Sequence, residues 1–236
     1  LAEAMRKLGA SIEKQEDGSW LIQGVGVGGL SEPDTVLDMG NSGTAARLLM
    51  GLVASAPFTT FFSGDASLHK RPMGRVAVPL TDMGATITAR SQGRFPLAVT
   101  GQDLMPISYE PPVASAQVKS CVLLAALDTP GVTTVTEPKP TRDHTENMLA
   151  HFGVSVDMEQ HEDGSRVIQL QGQQEMHGAD VTVPADPSSA AFPAVAAAIL
   201  PGSDITIENV GLNPLRDGLF ETLADMGADI TISNLR

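Results

Sequence analysis

The chain has 236 residues, of which 42% are hydrophobic and 18% charged, and its formal net charge is -13 at pH 7. This length and composition predict a globular protein with a substantial core, in one large or two modest domains. The negative charge and the 4% aromatic content argue against nucleic acid or an anionic membrane as a partner of the whole surface. A small anionic substrate is compatible with this charge if cations gather locally.

The single cysteine, Cys121, excludes an internal disulfide and a cysteine-based zinc site, and it fits a reducing cytoplasm. The histidines show no metal-ligand spacing, so we expect no protein-bound metal and no cofactor. The longest apolar run, 190–200, is too short to span a bilayer. The chain starts at Leu1, inside a predicted helix and without a signal peptide, which indicates a fragment.

In chain order, the sequence repeats one pattern, in which an amphipathic helix ends at a glycine and a short strand follows. The glycines recur about every seventy residues, at Gly9, Gly84, Gly153 and Gly227. Glycine suits the left-handed backbone that ends many helices. Three of these strands lead into a turn signal and a second strand, which predicts a β-hairpin. The turn signals are Asp17-Gly18, Gln92-Gly93 and Asp163-Gly164.

Each full repeat therefore predicts a βαβαββ unit. The chain contains a truncated repeat, 1–31, and two complete repeats, 32–104 and 105–178. The first helix of each repeat is apolar nearly all round, which predicts burial on every side; these helices are Ala45 to Ala54, Val118 to Leu127 and Ala190 to Leu200. Cys121, within the second of them, is predicted to be a small core residue.

The strands alternate between apolar and polar residues, as in Thr86 to Thr88 and Asp204 to Glu208. Alternation predicts sheets with one solvated face. Buried helices and half-solvated strands together predict an α/β (α+β) fold that is inside out. It is a barrel-like globe with helices inside and mixed sheets outside.

Small or amide residues stand where each of the three apolar helices begins. They are Asn41-Ser42-Gly43-Thr44, Ser115-Ala116-Gln117 and Asp186-Pro187-Ser188-Ser189. A helix N-terminus offers free backbone N–H groups and the positive end of its dipole, so it is suited to bind an anion. The simpler alternative is N-capping by Asn41, Ser115 and Asp186. Because Pro187 follows at a plausible first helical position, we favour capping for Asp186.

Each repeat also places an arginine near the start of its second helix, at Arg71, Arg142 and Arg216. A cation there opposes the helix dipole, and guanidinium suits carboxylate and phosphate oxygens. A solvated charge at a helix tip is the alternative for any one of them. No Ser-His-Asp order, phosphate-binding loop or dinucleotide fingerprint is present. The residues alone therefore predict an anion-binding repeat protein with no named reaction.

Several motifs in a fixed order resemble the 5-enolpyruvylshikimate-3-phosphate synthases. They are LDMGNSGTAARLLMGL, GDASLHKRPMGRVAVPL, ASAQVKSCVLLAAL, TRDHTENML and VPADPSSAAFP, and they span essentially the whole chain. The resemblance implies transfer of enolpyruvyl from phosphoenolpyruvate to the 5-hydroxyl of shikimate 3-phosphate, with release of phosphate. It also implies two globes of three βαβαββ units each, here 1–183 and the first part of the second, 184–236.

Carried over by motif, the resemblance implies a set of substrate-binding residues. Ser115, Ala116, Gln117 and Arg142 would hold shikimate 3-phosphate. Asn41, Gly43, Thr44, Arg71 and Gln117 would line the side that takes phosphoenolpyruvate and the inhibitor glyphosate.

Asp186 does not match the family's catalytic aspartate, and the family's proton-transfer motifs are not found in this chain. We therefore predict no catalytic acid or base here, and substrate binding without efficient turnover by this chain alone. The parent protein is expected to be a cytoplasmic monomer.

Two alternatives stay open. The first is UDP-N-acetylglucosamine enolpyruvyl transferase, which shares the fold and the enolpyruvyl donor. That family carries a reactive cysteine shortly before its Arg-Pro pair, and residues 64–70 before Arg71-Pro72 contain none. The second is a non-catalytic anion-binding repeat module.

Overall fold

The structure is a computed structural model that describes residues 1–235. It divides into two compact units, of which the first is Leu1–Gly178 and the second begins at Ala179. The assignment of two globes with a boundary near Val183 stays a prediction. No helix among the described residues has the length and hydrophobicity that a membrane crossing requires.

The first unit contains a partial repeat and two complete βαβαββ repeats. The partial repeat consists of α1 (Ala2–Lys7), β1 (Ser11–Lys14) and β2 (Trp20–Gln23). The next repeat consists of β3 (Leu37–Asp38), α2 (Gly43–Leu52), β4 (Thr59–Ser63), α3 (Gly74–Asp82), β5 (Thr86–Arg90) and β6 (Arg94–Thr100). The last consists of β7 (Ser108–Tyr109), α4 (Ala116–Ala126), β8 (Val132–Glu137), α5 (His144–His151), β9 (Val156–Gln160) and β10 (Arg166–Gln171).

The two complete repeats form sheets of the same topology. Their strand orders are β3-β4-β6-β5 and β7-β8-β10-β9, with the first pair parallel and the others antiparallel. Burial alternates along β6 and β8, so each sheet turns one face to the core and one to solvent. The mixed sheets and the three hairpins were predicted from the alternation and the turn signals, and the structure confirms both. All four repeat glycines have φ between 87° and 119°.

The core of the first unit forms where α2 packs against α4. Cys121 and Leu123 on α4 are fully buried, and α2 approaches so closely that a Cβ at Gly51 would lie 2.2 Å from the Cys121 carbonyl oxygen. Only glycine permits that distance between the two helices. The predicted burial of these two apolar helices, and of Cys121 as a core residue, is therefore confirmed.

The second unit differs from the prediction in two ways. It contains α6 (Pro187–Ile199) and α7 (Gly218–Asp225), but among its described residues 204–208 and the segment after Gly227 form no strand. A single parallel bridge joins Ala185 to Val210. The strand equivalent to 204–208 in the first unit pairs with the last strand of its own repeat, β6 or β10. The described part of the second unit has no equivalent of those strands, so 204–208 lacks a ladder to join.

The apolar helix α6 was also predicted to be buried all round, and this prediction is wrong for the described structure. Phe192 is 79% exposed and Ile199 76% exposed, whereas only Pro187 and Ala190 of the helix are buried. Apolar composition predicts burial only where a second element supplies the surface to pack against. In the first unit α2 and α4 supply it for each other.

Candidate anion-binding site

The beginning of α2 is capped by Ser42, whose side-chain oxygen accepts a hydrogen bond of 3.1 Å from the Ala45 N–H. Asn41 is therefore not the N-cap, and the capping alternative is wrong for it. Instead, Asn41 Nδ2 donates to Asp65 Oδ2 at 2.6 Å, and its Oδ1 accepts from Arg71 Nη2 at 3.0 Å. The amide is thus held in one orientation between a carboxylate and a guanidinium.

Arg47 joins the beginning of α2 to the beginning of α4. Its Nη1 donates to Gln117 Oε1 at 2.8 Å and to the Gly43 carbonyl oxygen at 3.2 Å. Gln117 Nε2 in turn donates to Thr44 Oγ1 at 2.7 Å. Because these bonds link side chains from two different repeats, they fix the two helix N-termini side by side.

Positive charge is concentrated around these helix N-termini. Burial lowers the pKa of the Arg47 guanidinium, and repulsion from Arg75 and Arg71 lowers it further. The backbone at Gly43 lies against two of these cations, since a Cβ there would be 3.0 Å from Arg47 Nη1 and 3.1 Å from Arg71 Nη1. A chain with a strongly negative total charge thus gathers three arginines at one place, where an anion would relieve their repulsion.

One acidic group borders the cluster. The hydrogen bond from Asn41 lowers the pKa of Asp65, with further help from backbone N–H groups and the Arg71 charge. Asp65 therefore stays ionised and keeps the Asn41 amide in place.

The beginning of α4 lacks a side-chain cap. Ser115 is the N-cap residue, but its side chain makes no capping hydrogen bond, and Ala116 is the first helical residue. The N–H groups of the first turn are therefore not occupied by that side chain. Arg142 is joined to the same helix through its carbonyl oxygen, which accepts from Lys119 Nζ at 3.0 Å. The predicted shikimate 3-phosphate residues thus belong to one α4-centred region.

The third helix N-terminus is closed by its own carboxylate. Asp186 caps α6 by accepting from the N–H groups of Ser188 and Ser189, as favoured from the sequence. Arg216 Nη2 lies 2.6 Å from Asp186 Oδ1, so the cation at this position already has an anionic partner. The Ser188 and Ser189 N–H groups of this helix N-terminus therefore already have an anionic acceptor.

Sequence reasoning missed three residues that organise the site, namely Arg47, Asp65 and Lys119. Two of them carried a readable signal, because Arg47 and Lys119 are lone cations inside otherwise apolar helices. A charged group at such a position is costly unless it has a partner. Asp65 carried no comparable signal in its loop. No group of three His, Cys, Asp or Glu side chains within residues 1–235 is placed to hold a metal ion.

Buried helices and outer mixed sheets define an inside-out α/β repeat protein, in which arginines gather at two adjoining helix N-termini. Residues 1–235 match the family model described as EPSP synthase (3-phosphoshikimate 1-carboxyvinyltransferase). The chain belongs to the EPSP synthase family.

Curated relatives agree with the family match. The 3-phosphoshikimate 1-carboxyvinyltransferases of Parvibaculum lavamentivorans and Paramagnetospirillum magneticum are 58% and 60% identical over the whole chain. The chain covers 52% and 53% of those proteins, so it spans about half their length.

Solved structures confirm the predicted fold. An EPSP synthase structure from Acinetobacter baumannii is 49% identical, with a TM-score of 0.87 over 99% of this chain and 52% of that one. The enolpyruvyl transferase NikO from Streptomyces tendae matches 85% of this chain and 47% of that one, with a TM-score of 0.56. At 18% identity, the NikO match shows a shared fold alone.

Proposed function

We propose that this chain is part of an enzyme that transfers enolpyruvyl from phosphoenolpyruvate to the 5-hydroxyl of shikimate 3-phosphate. One observation carries the proposal. Arg47, Gln117 and Thr44 join two helix N-termini from different repeats into one cationic site that contains Gly43 and lies beside Arg71. Both substrates are phosphorylated and carboxylated anions, and guanidinium groups and helix N-termini bind such groups.

The two substrates are assigned to adjoining parts of the site. Shikimate 3-phosphate lies against Ser115, Ala116, Gln117 and Arg142, at the open beginning of α4. Phosphoenolpyruvate lies on the side of Asn41, Gly43, Thr44 and Arg71, with Gln117 between the two. The Arg47 to Gln117 to Thr44 hydrogen bonds support this arrangement, because they hold the shared amide in one orientation.

The reaction is an addition followed by an elimination. An acid protonates the methylene carbon of phosphoenolpyruvate while the 5-hydroxyl oxygen gives up its proton to a base and attacks the adjacent carbon, which gives a tetrahedral ketal. The ketal then expels phosphate, and loss of a proton restores the double bond. Residues of this chain contribute binding, orientation and stabilisation of negative charge. We assign no proton-transfer group in this chain, and we expect it to bind substrate without efficient turnover when alone.

Substitution of Arg142 tests the assignment of the shikimate 3-phosphate site. In the full-length protein that carries this chain, we expect Arg142→Ala to weaken binding by ~1.5 to 3 kcal/mol, the range for hydrogen bonds to a charged group. Isothermal titration with shikimate 3-phosphate measures the effect. Arg216→Ala is the matched control, since that arginine holds the equivalent position in the second unit and pairs with Asp186. Unchanged affinity in Arg142→Ala would remove Arg142 from the site.

The nucleotide-sugar alternative is disfavoured by the cysteine. Cys121 is fully buried inside α4, and burial raises the pKa of its thiol, so it remains protonated and out of reach of a substrate. Titration of the same protein with UDP-N-acetylglucosamine distinguishes this alternative from the proposed function. Binding of shikimate 3-phosphate without turnover by the full-length protein would instead favour a non-catalytic module.

We further place the protein in the cytoplasm as a monomer. The lone buried cysteine and the bacterial origin of the relatives support that location.

A further inference from the structure

Lys119 is the most unusual group outside the contacts described for substrate. It lies on α4, one helical turn after Ser115, and its side chain is fully buried. A buried lysine is tolerated only when its charge and its three donors find partners. The partners of this lysine therefore indicate what it does.

Within residues 1–235, the partners of Lys119 Nζ all come from the segment that carries Arg142. Nζ lies 3.1 Å from Glu137 Oε2 at the end of β8 and 2.7 Å from Glu146 Oε1 on α5. It also donates to the Arg142 carbonyl oxygen at 3.0 Å, and the Thr141 carbonyl oxygen is 3.5 Å away. One ammonium thus joins α4 to both ends and the middle of the segment 137–146.

Glu137 strengthens the same connection. Its Oε2 accepts from the Thr141 N–H at 3.3 Å, and its Oε1 accepts from the Thr141 hydroxyl. Next to Lys119, Ser120 Oγ lies 2.6 Å from Thr145 Oγ1. The Thr141 and Arg142 carbonyl oxygens and the Thr145 side chain are therefore tied to α4.

We propose that Lys119 is a positioning residue that acts through Arg142. Residues four apart on a helix are separated by roughly 6 Å along its axis. The Arg142 backbone is therefore anchored to a residue that lies one turn from the open beginning of α4, where Ser115, Ala116 and Gln117 lie. The inference rests on the proposed function, because it assumes that Arg142 binds shikimate 3-phosphate.

The charge balance explains why Lys119 cannot be replaced freely. Two buried carboxylates, Glu137 and Glu146, share this one cation, with exposures of 2% and 1%. When the ammonium is lost, both carboxylates remain buried without that cation. They then repel each other and the carbonyl oxygens of the loop. We therefore expect the segment that carries Arg142 to move away from α4.

A double-mutant cycle in the full-length protein that carries this chain tests the proposal. Lys119→Met is expected to weaken shikimate 3-phosphate binding by roughly tenfold, within the range for residues coupled in one network. In an Arg142→Ala background the same substitution is expected to change affinity by less than about twofold, because the group it positions is already gone. In turnover, KM for shikimate 3-phosphate rises by a larger factor than kcat falls.

Lys139→Met is the matched control, since Lys139 is an exposed lysine of the same loop. The Lys139→Met variant is expected to bind shikimate 3-phosphate with the same affinity as the unmodified protein. If Lys119→Met fails to fold, the variant Lys119→Met/Glu137→Gln/Glu146→Gln replaces it in the cycle, because that variant leaves no buried charge unpaired.

Each outcome separates the two proposals. Lys119→Met could lower the affinity for shikimate 3-phosphate by the same factor in the unmodified protein and in the Arg142→Ala protein. That result would overturn the positioning role and leave the proposed function standing. Unchanged affinity in Lys119→Met would do the same. An unmodified protein that fails to bind shikimate 3-phosphate would overturn the proposed function itself, and the positioning role with it.

Discussion

Helices α4 and α6 occupy the same place in their repeats and have the same apolar character, but they differ in burial and at their N-termini. The side chains of Cys121 and Leu123 on α4 are fully buried against neighbours, whereas Phe192 and Ile199 on α6 are mostly exposed. Composition sets what a helix can bury, and the neighbouring elements decide whether it does.

The two N-termini differ in the anion that they hold. Asp186 supplies a carboxylate to α6 from within the chain, and Arg216 pairs with it. The N-cap of α4, Ser115, carries no charge and makes no side-chain cap, and its neighbour Gln117 is oriented by Arg47. One repeat position thus carries a carboxylate cap in α6 and no side-chain cap in α4.

The largest expected effect tests the difference in burial. Leu123→Ala is expected to lower the free energy of unfolding by about 2–5 kcal/mol, through lost burial and a cavity. Ile199→Ala removes a side chain of similar size from α6 and is expected to cost less than about 0.5 kcal/mol. Urea denaturation followed by circular dichroism measures both. Equal losses would mean that α6 is covered in solution, and the contrast between the two helices would then disappear.

An intermediate effect tests the cationic N-terminus of α2 in the first unit. Gly43→Ala places a methyl group 3.0 Å from Arg47 Nη1 and 3.1 Å from Arg71 Nη1. We expect phosphoenolpyruvate and glyphosate to bind roughly tenfold more weakly, which corresponds to about 1.4 kcal/mol and the lower end of the cost of overpacking.

The control for Gly43→Ala is Gly218→Ala. Gly218 is the first residue of α7, and a Cβ there would meet no atom within 4 Å. We expect this variant to leave KM for phosphoenolpyruvate and inhibition by glyphosate unchanged in the full-length protein. If Gly43→Ala also left both unchanged, position 43 would not contact either ligand.

The fold of the first unit could be predicted because its signals are local and repeated. Helix-ending glycines, turn pairs and strand alternation each act within a few residues, and their recurrence fixes the unit length. For 204–208 and for α6, the same local signals predicted a strand and a buried helix, and the described residues show neither. Both depend on a partner element, and periodicity in one segment carries no information about whether that partner is present.

The candidate site also has a part that the sequence predicts and a part that depends on how separate elements pack. Motif resemblance predicted site roles for Asn41, Gln117, Arg71 and Arg142, but the hydrogen bonds that hold them were not predictable. Arg47 pairs with Gln117 across seventy positions of sequence, and Lys119 reaches a carboxylate eighteen positions away. Such pairings are set by how α2, α4 and the loop before α5 pack together. The lone cation in an apolar helix was the one local clue.

The smallest expected effect is the pH dependence of the α6 cap. The Ser189 hydroxyl, backbone N–H groups and the Arg216 charge lower the pKa of Asp186 below its ordinary value. Its stabilisation of α6 is therefore fully present above the unfolded value of about 3.9 and is lost as the pH falls through the lower folded pKa. Hydrogen exchange of the Ser188 and Ser189 amides, corrected for intrinsic rates, should show protection that declines in this acidic window. The Asp186→Ser variant, with an uncharged cap like Ser42 of α2, should lose that decline. Protection that falls equally in both proteins would mean that another group titrates, and the carboxylate would no longer distinguish the two kinds of helix N-terminus.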